Sequence, residues 1–179
     1  MPVAAWKAGV WAGLIAGAID LAVLTGIVLA QGVSPWVPAR MTAAMVLGTG
    51  VLSPPEAFDA GIAAAALGVH FGLSLIYGVI IALLIQRLDR FPALGAGAAF
   101  GLGVWLLNYF VIAPYAFPWF GGMRFAPSVP FLHALFGVAA VGAYLAITAR
   151  ERRAGIERRQ LEAQVEPERR RPFERRGPA

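Results

Sequence analysis

Four long apolar stretches constrain this sequence more than any other feature. They cover about residues 8–30, 60–86, 93–113 and 129–149, and each reaches the roughly 20 residues that a helix needs to cross a ~30 Å hydrocarbon core. The chain is 59% hydrophobic and only 14% charged, which exceeds the apolar share of ordinary soluble domains. The sequence therefore predicts an all-α membrane protein with a bundle of four transmembrane helices.

Charged residues are concentrated at the C-terminal end. Residues 150–179 contain ten of the 15 Lys and Arg residues and six of the ten Asp and Glu residues. Glu and Arg alternate there at helical spacings as far as Pro167, which predicts that the fourth span continues as a helix into water and that disorder follows. The predicted organisation is a transmembrane domain over residues 1–149 and a charged, partly disordered cytoplasmic tail over residues 150–179.

The positions of Lys and Arg also predict the orientation. Thirteen of them fall on one side of the four spans, and only Arg40 and Arg124 fall on the other. The side with more basic residues is usually cytoplasmic, so we expect both termini in the cytoplasm. The arginines that begin the tail have two interpretations, namely this topological anchor and a contact with anionic lipid.

Two outer segments connect the spans. The first, residues 31–59, contains a short apolar stretch at 39–47 closed by Gly48, which predicts a helix in the outer interface. Residues 53–56, Ser-Pro-Pro-Glu, have the spacing of a capping box and predict a helix start. The second segment, residues 114–128, is rich in aromatic side chains, which indicates either an interfacial belt or a lid over the outer mouth of the bundle.

The chain also resembles itself. Residues 13–20 match residues 101–108 at a shift of 88, and Val69-His70 matches Leu132-His133 at a shift of 63. Two helical hairpins in the same orientation are therefore predicted, related by a pseudo-twofold axis along the membrane normal as in parallel-repeat transporters.

Small residues recur at intervals of four in the predicted spans. This spacing lets helix backbones approach closely in lipid and suits a compact bundle or a homo-oligomer equally well. The glycines with this spacing are Gly9, Gly13 and Gly17, then Gly68 and Gly72, and then Gly97 and Gly101.

Polar side chains inside the predicted spans are the candidate functional residues. An ionisable group at the centre of a span costs at least ~2.5 kcal/mol on insertion scales and tends to face protein or water. Helical rise puts Asp20, His70 and His133 in the outer half of the bilayer. The repeat gives Asn108 the depth of Asp20, and Ser74 lies one turn from His70 on the same face. We predict that these five residues form one intramembrane polar cluster.

Several chemistries are excluded or disfavoured. The chain has no cysteine, so disulfides, thiolate nucleophiles and Cys-ligated metals are absent. It shows no nucleophile and base pair, phosphate loop or paired carboxylates, so we predict neither an enzyme nor a catalytic residue. No spaced ligand cluster predicts a metal site, no cofactor is predicted, and no aromatic-interleaved basic stripe indicates nucleic acid. The predicted partners are the lipid bilayer and either further copies of the chain or a larger membrane complex.

Short motifs along the spans resemble those of a known family. They are residues 55–61 (Pro-Glu-Ala-Phe-Asp-Ala-Gly), residues 68–74 (Gly-Val-His-Phe-Gly-Leu-Ser) with Gly78, then Gly101, Trp105 and Pro114, and then Leu132-His133 with Gly137. Over about residues 5–149 the chain resembles the uncharacterised small four-helix bacterial membrane proteins, some of which carry the label sodium:proline symporter. The resemblance implies a bacterial inner-membrane protein. It supplies no mechanism, because the chain is far shorter than sodium-coupled symporters and lacks their broken-helix pattern.

Three functional hypotheses follow for the polar cluster. The first is a non-catalytic accessory or structural membrane subunit, in which buried hydrogen bonds fix the register of the helices. The second is a small permease or proton-coupled channel in which Asp20, His70 and His133 line a path. The third is a haem held by the two histidines. The first two differ in whether a polar cavity connects the cluster to a membrane face.

Overall fold

The computed structural model describes residues 4–123 and 126–169, with residues 164–169 as backbone only. Within these ranges the chain is helical and contains no β-strand. Four helical segments are long and apolar enough to cross a membrane, which confirms the predicted helical class and the predicted number of such segments. Their bounds are Ala5–Ala30 (α1), Ala60–Ile85 (α3), Arg90–Ala116 and Ser128–Arg169 (α6).

The third segment is not one regular helix. It consists of α4 (Arg90–Leu106), a π-helical turn (Leu107–Ile112) and the short helix α5 (Ala113–Ala116). A π-helical turn contains one residue more than the corresponding α-helical turn and is frequent at functional sites. The remaining helix, α2 (Trp36–Leu47), lies in the first outer segment and ends at Gly48, whose φ of 82° suits glycine.

The helix of the charged tail extends further than the sequence predicts. α6 continues past residue 149 to Arg169, two residues beyond the proline where we expected disorder to begin. The rest of that prediction concerns residues 170–179, which lie outside the described residues.

The start of α3 differs from the capping-box prediction. Residues 53–59 are not helical, and α3 begins at Ala60. Asp59 is the N-cap, because its Oδ1 accepts a hydrogen bond from the backbone N–H of Ile62 at 2.9 Å. The prediction at Ser53 was wrong because an acidic cap directly before the apolar run satisfies the free N–H groups of the first turn.

The spanning segments form two pairs that pack on each other. α1 lies along α3, α4 lies along α6, and α1 also lies along α6. Glycine makes both pairs close: a Cβ atom on Gly13 would overlap the carbonyl group of Ser74, and one on Gly101 would overlap the carbonyl group of His133. Backbone therefore touches backbone in each pair, as expected for helices that associate by packing in lipid.

These contacts define which residues of the two pairs correspond. The contacts of Gly13 with Ser74 and of Gly101 with His133 are equivalent. Between the first helices of the two pairs, Gly101 follows Gly13 by 88 positions. Between the second helices, His133 follows Ser74 by 59 positions. The first shift equals that of the sequence match, whereas the second is four residues less than the 63 that aligns His70 with His133. In the packing, His133 is level with Ser74, one turn from His70. The internal repeat itself stays a prediction.

The two ends of the bundle differ. At the termini end, where α1 begins and α6 continues towards Arg169, buried small and aliphatic side chains fill the space between the helices. The buried cluster consists of Ala8, Ala12, Ala16, Ile81, Ala82, Ile85, Ala93, Ala140, Val141 and Tyr144. At the loop end, α2 packs on α3, and the residues between the helices are larger and more polar.

The close approach of α4 to α6 predicts a difference between two neighbouring glycines. Gly101→Ala should lower the free energy of unfolding by about 1–3 kcal/mol, because the new methyl group must displace the backbone of α6. Gly103→Ala, on the same helix with no neighbour within 4 Å, should be neutral or slightly stabilising. Thermal unfolding of both variants in one detergent measures this difference, and equal melting temperatures would contradict the packing of α4 on α6.

Candidate functional site

A cavity of about 370 Å³ lies in the loop-end half of the bundle. All five residues of the predicted polar cluster line it: Asp20 from α1, His70 and Ser74 from α3, Asn108 from the π-helical turn and His133 from α6. Each spanning segment thus contributes at least one polar side chain to the same space. Whether these side chains have a function stays a prediction.

His70 connects two helices through its ring. Its Nε2 lies 2.8 Å from the carbonyl oxygen of Gly17, and because a carbonyl can only accept, Nε2–H is the donor. Gly17 has no side chain, and a Cβ atom there would meet the Ser74 side chain. The bond therefore depends on the close approach of α1 to α3.

Ser74 and His133 bond within their own helices. The Ser74 hydroxyl donates to the carbonyl oxygen of His70 at 2.8 Å, and His133 Nδ1 donates to that of Val129 at 2.9 Å. The two bonds are equivalent in the packing, because Ser74 and His133 occupy corresponding levels and each donates to the residue four positions earlier. In a neutral His133 ring, the lone pair of Nε2 is then available as an acceptor.

Asp20 is the acidic residue of the cavity. Its carboxylate is half-buried and lies within electrostatic range of His70 and of the Tyr109 hydroxyl. Among the described residues that line the cavity, no Lys or Arg balances this charge. The cavity is therefore an apolar space with one acid, two imidazoles, an amide and hydroxyl groups.

Aromatic side chains line the cavity in two groups that the sequence analysis did not combine. Tyr77 touches two rings edge-on, with centroids 6.1 Å from Phe100 and 6.4 Å from Phe136. Nearer the loops, Tyr109 makes edge contacts with Phe120 at 6.1 Å and with His133 at 5.9 Å. The first group forms the floor of the cavity. In the sequence, this group is indicated by spacing. Tyr77 follows Ser74 by three positions, and Phe136 follows His133 by three, so each ring shares a helix face with a residue of the polar cluster.

The π-helical turn contributes two consecutive residues to the cavity wall. Asn108 and Tyr109, within Leu107–Ile112, both line the space, as do Leu73 and Ser74 of the regular helix α3. The sequence match to residues 13–20 predicted the position of Asn108 but gave no sign of the extra residue, because a π-turn has no composition of its own.

Two outer elements cover the loop end of the cavity. Thr42 and Met45 of α2 contribute to its wall, as do Phe117 and Phe120 beside the 3₁₀ segment Pro118–Met123. The indole Nε1 of Trp119 donates to the carbonyl oxygen of Met41 at 3.0 Å and ties the two elements together. Of the two interpretations of this aromatic segment, the contacts favour the lid over the belt.

Arg40 holds α2 in place by bonds to the backbone. Its side chain is buried, with Nε donating to the carbonyl oxygen of Ala57 at 2.8 Å and Nη1 to that of Val51 at 2.7 Å. These bonds fasten the lid to the segment that leads into α3. The sequence analysis used Arg40 only to count charge, because neither acceptor is a side chain.

Comparisons of the chain with protein-family models, with curated proteins and with solved structures find no match. Within the described ranges, no three His, Cys, Asp or Glu side chains gather closely enough to hold a metal ion.

The bond that joins the lid elements yields a prediction. Trp119→Phe keeps an aromatic ring but loses the donor to Met41, so the free energy of unfolding should fall by about 1 kcal/mol. Backbone amides of residues 119–123 should exchange with deuterium faster. Trp11→Phe, at an exposed position of α1, is the control and should leave exchange in that segment unchanged. Equal exchange in both variants would mean that the bond does not hold the lid.

Proposed function

We propose that the chain is a multi-pass protein of the bacterial inner membrane, and that its cavity receives a small solute from the outer side, as in a small permease. The resemblance to small four-helix bacterial membrane proteins is part of this proposal. The observation that carries it is the common cavity, because polar residues from all four spanning segments line it together with the outer elements α2 and 118–123.

The outer surface of the helices supports a membrane location. Large apolar side chains project outward from every spanning segment, where a soluble protein would expose them to water. Examples are Ile15, Leu67, Ile80, Leu106, Phe131 and Val138. Lipid tails suit such a surface, and the split of thirteen basic residues against two supports cytoplasmic termini.

The packing supports a cavity with access from one side. Below its aromatic floor, glycine contacts and the buried alanine cluster fill the termini end of the bundle. With the termini in the cytoplasm, the cavity faces outward and the dense end is the inner barrier. A permease alternates between two such states by moving one helix pair against the other, and in this chain the surface along which α1 meets α6 would have to slide.

A structural subunit is the second candidate function, and the hydrogen bonds favour it. His70, Ser74 and His133 each bond to a backbone carbonyl group, which is how buried polar residues satisfy each other without chemistry. In this case the cavity is a space within a bundle that serves as an accessory subunit, alone or with further copies of the chain.

Haem binding and catalysis have less support. Ligation by both histidines would require His70 Nε2 to leave Gly17 or the ring to ligate through its other nitrogen. The Ser74 hydroxyl donates to a carbonyl group and not to a base, so nothing activates it as a nucleophile. We therefore propose a non-catalytic protein without a bound cofactor.

Reactivity of introduced thiols tests whether the cavity admits solutes. Val104→Cys would place the single thiol of the chain in the cavity wall, and Leu106→Cys would place it on the outward face of α4. Because the thiolate is the reactive form and a thiol in hydrocarbon stays protonated, N-ethylmaleimide should modify position 104 at least about tenfold faster. Mass spectrometry of the protein in lipid nanodiscs measures both rates. Equal, slow rates would favour the structural subunit.

Orientation has a separate test. In intact cells, a membrane-impermeant maleimide should label Gly122→Cys, which lies in the outer aromatic segment. It should not label Ala154→Cys, on the part of α6 beyond the apolar stretch, until the cells are opened. Labelling of position 154 in intact cells would reverse the proposed topology.

A further inference from the structure

We infer that the solute received by the cavity is an organic cation with an apolar body, such as a substituted ammonium ion. This inference rests on the proposed function and specifies its substrate class. It combines the net charge of the cavity wall, the nature of its rings and the shortage of ligands for an inorganic ion.

The charge of the wall favours a cation. Asp20 is the one acidic side chain among the described residues that line the cavity, and no Lys or Arg accompanies it there. The imidazoles are held as hydrogen-bond donors to backbone carbonyls, which neutral rings can do. A carboxylate in a largely apolar space attracts a positive ligand more strongly than it would in water.

The rings favour a cation that is itself weakly hydrated. Six Phe and Tyr side chains line the cavity: Tyr77, Phe100, Tyr109, Phe117, Phe120 and Phe136. The faces of such rings attract positive charge, and aromatic cages are the usual site for substituted ammonium groups. On the floor, the plane of the Tyr77 ring lies at 70° to that of Phe100 and at 78° to that of Phe136, so the rings there have more than one orientation.

The same wall is unsuited to a metal ion or an anion. Calcium and magnesium take about six or more oxygen ligands, usually with several carboxylates among them, whereas the cavity offers one carboxylate beside neutral amide and hydroxyl oxygens. An anion would be repelled by Asp20 and would find no cationic partner among the described lining residues. The volume of about 370 Å³ is within the range of small-molecule sites.

Three water-soluble probes of nearly the same shape but different charge test this inference. They are phenyltrimethylammonium, the neutral 2-phenylpropan-2-ol and the anionic benzenesulfonate. Calorimetric titration of the full chain in lipid nanodiscs should show the ammonium ion binding at least about tenfold more tightly than the alcohol, with the sulfonate weakest.

Matched variants assign the preference to its cause. Asp20→Asn should remove most of the preference for the ammonium ion and leave the smaller part that the rings contribute, and Asp20→Glu should retain most of the preference. Asp59→Asn removes an acid at the exposed start of α3, where Asn caps equally well, and should change nothing. Phe136→Leu keeps an apolar wall without a ring face, so it should weaken the ammonium ion several-fold and the alcohol much less.

Each outcome has one meaning. Equal affinity for ammonium ion and alcohol, or tightest binding of the sulfonate, overturns the cation inference and leaves the proposed solute cavity standing. If no probe binds although Val104→Cys reacts rapidly, the cation inference is again overturned and the proposed solute cavity again stands. If no probe binds and Val104→Cys is also unreactive, the proposed function itself fails. An ammonium preference that is undiminished in Asp20→Asn would place the cation site elsewhere and overturn the inference.

Discussion

Direct contact between helix backbones is the constraint on which the rest of the structure depends. In the proposed membrane location, lipid is as apolar as the helices, so burial of apolar surface does not hold the helices together and close packing must do so. Gly13 against Ser74 and Gly101 against His133 provide that contact in the two helix pairs. The alanine-rich cluster at the termini end continues it. A larger side chain at either glycine would separate a pair and remove the floor of the cavity.

The cavity is a consequence of where this close packing stops. Towards the loops, the residues between the helices change from Gly and Ala to Asp20, His70, Asn108 and aromatic side chains. These are too large to allow backbone contact, and they surround a space that they do not fill. The bond from His70 to Gly17 is the last close link between α1 and α3 before the space opens. The closest helix packing is thus at one end of the bundle, and the polar side chains that line the cavity are at the other.

The sequence indicated the helices and the polar residues that line the cavity, but it did not indicate the elements that cover the cavity. Apolar length is a local property, and polar residues are costly in lipid wherever they occur, so both could be read along the chain. The position of α2 and of residues 118–123 over the cavity could not be predicted from the sequence. Arg40 and Trp119 hold these elements by bonds to backbone carbonyl groups, which no sequence motif indicates. The π-turn and the cap at Asp59 depend on a single residue each. The shift that relates α3 to α6 in the packing is 59 residues and not 63. It is set by the helix surfaces that touch, which a match of residue types does not reveal.

The length of α6 has a mechanical consequence. Its described 42 residues correspond to about 63 Å at 1.5 Å per residue, roughly twice the thickness of the hydrocarbon core. Gly137, which touches Gly97 near the cavity floor, is separated from residue 159 by about 33 Å of helix. A small tilt of the rod at that contact would displace its charged end by a larger distance. The arginines between residues 150 and 159 are therefore linked to the floor of the cavity by the stiffness of one helix, without any intervening domain.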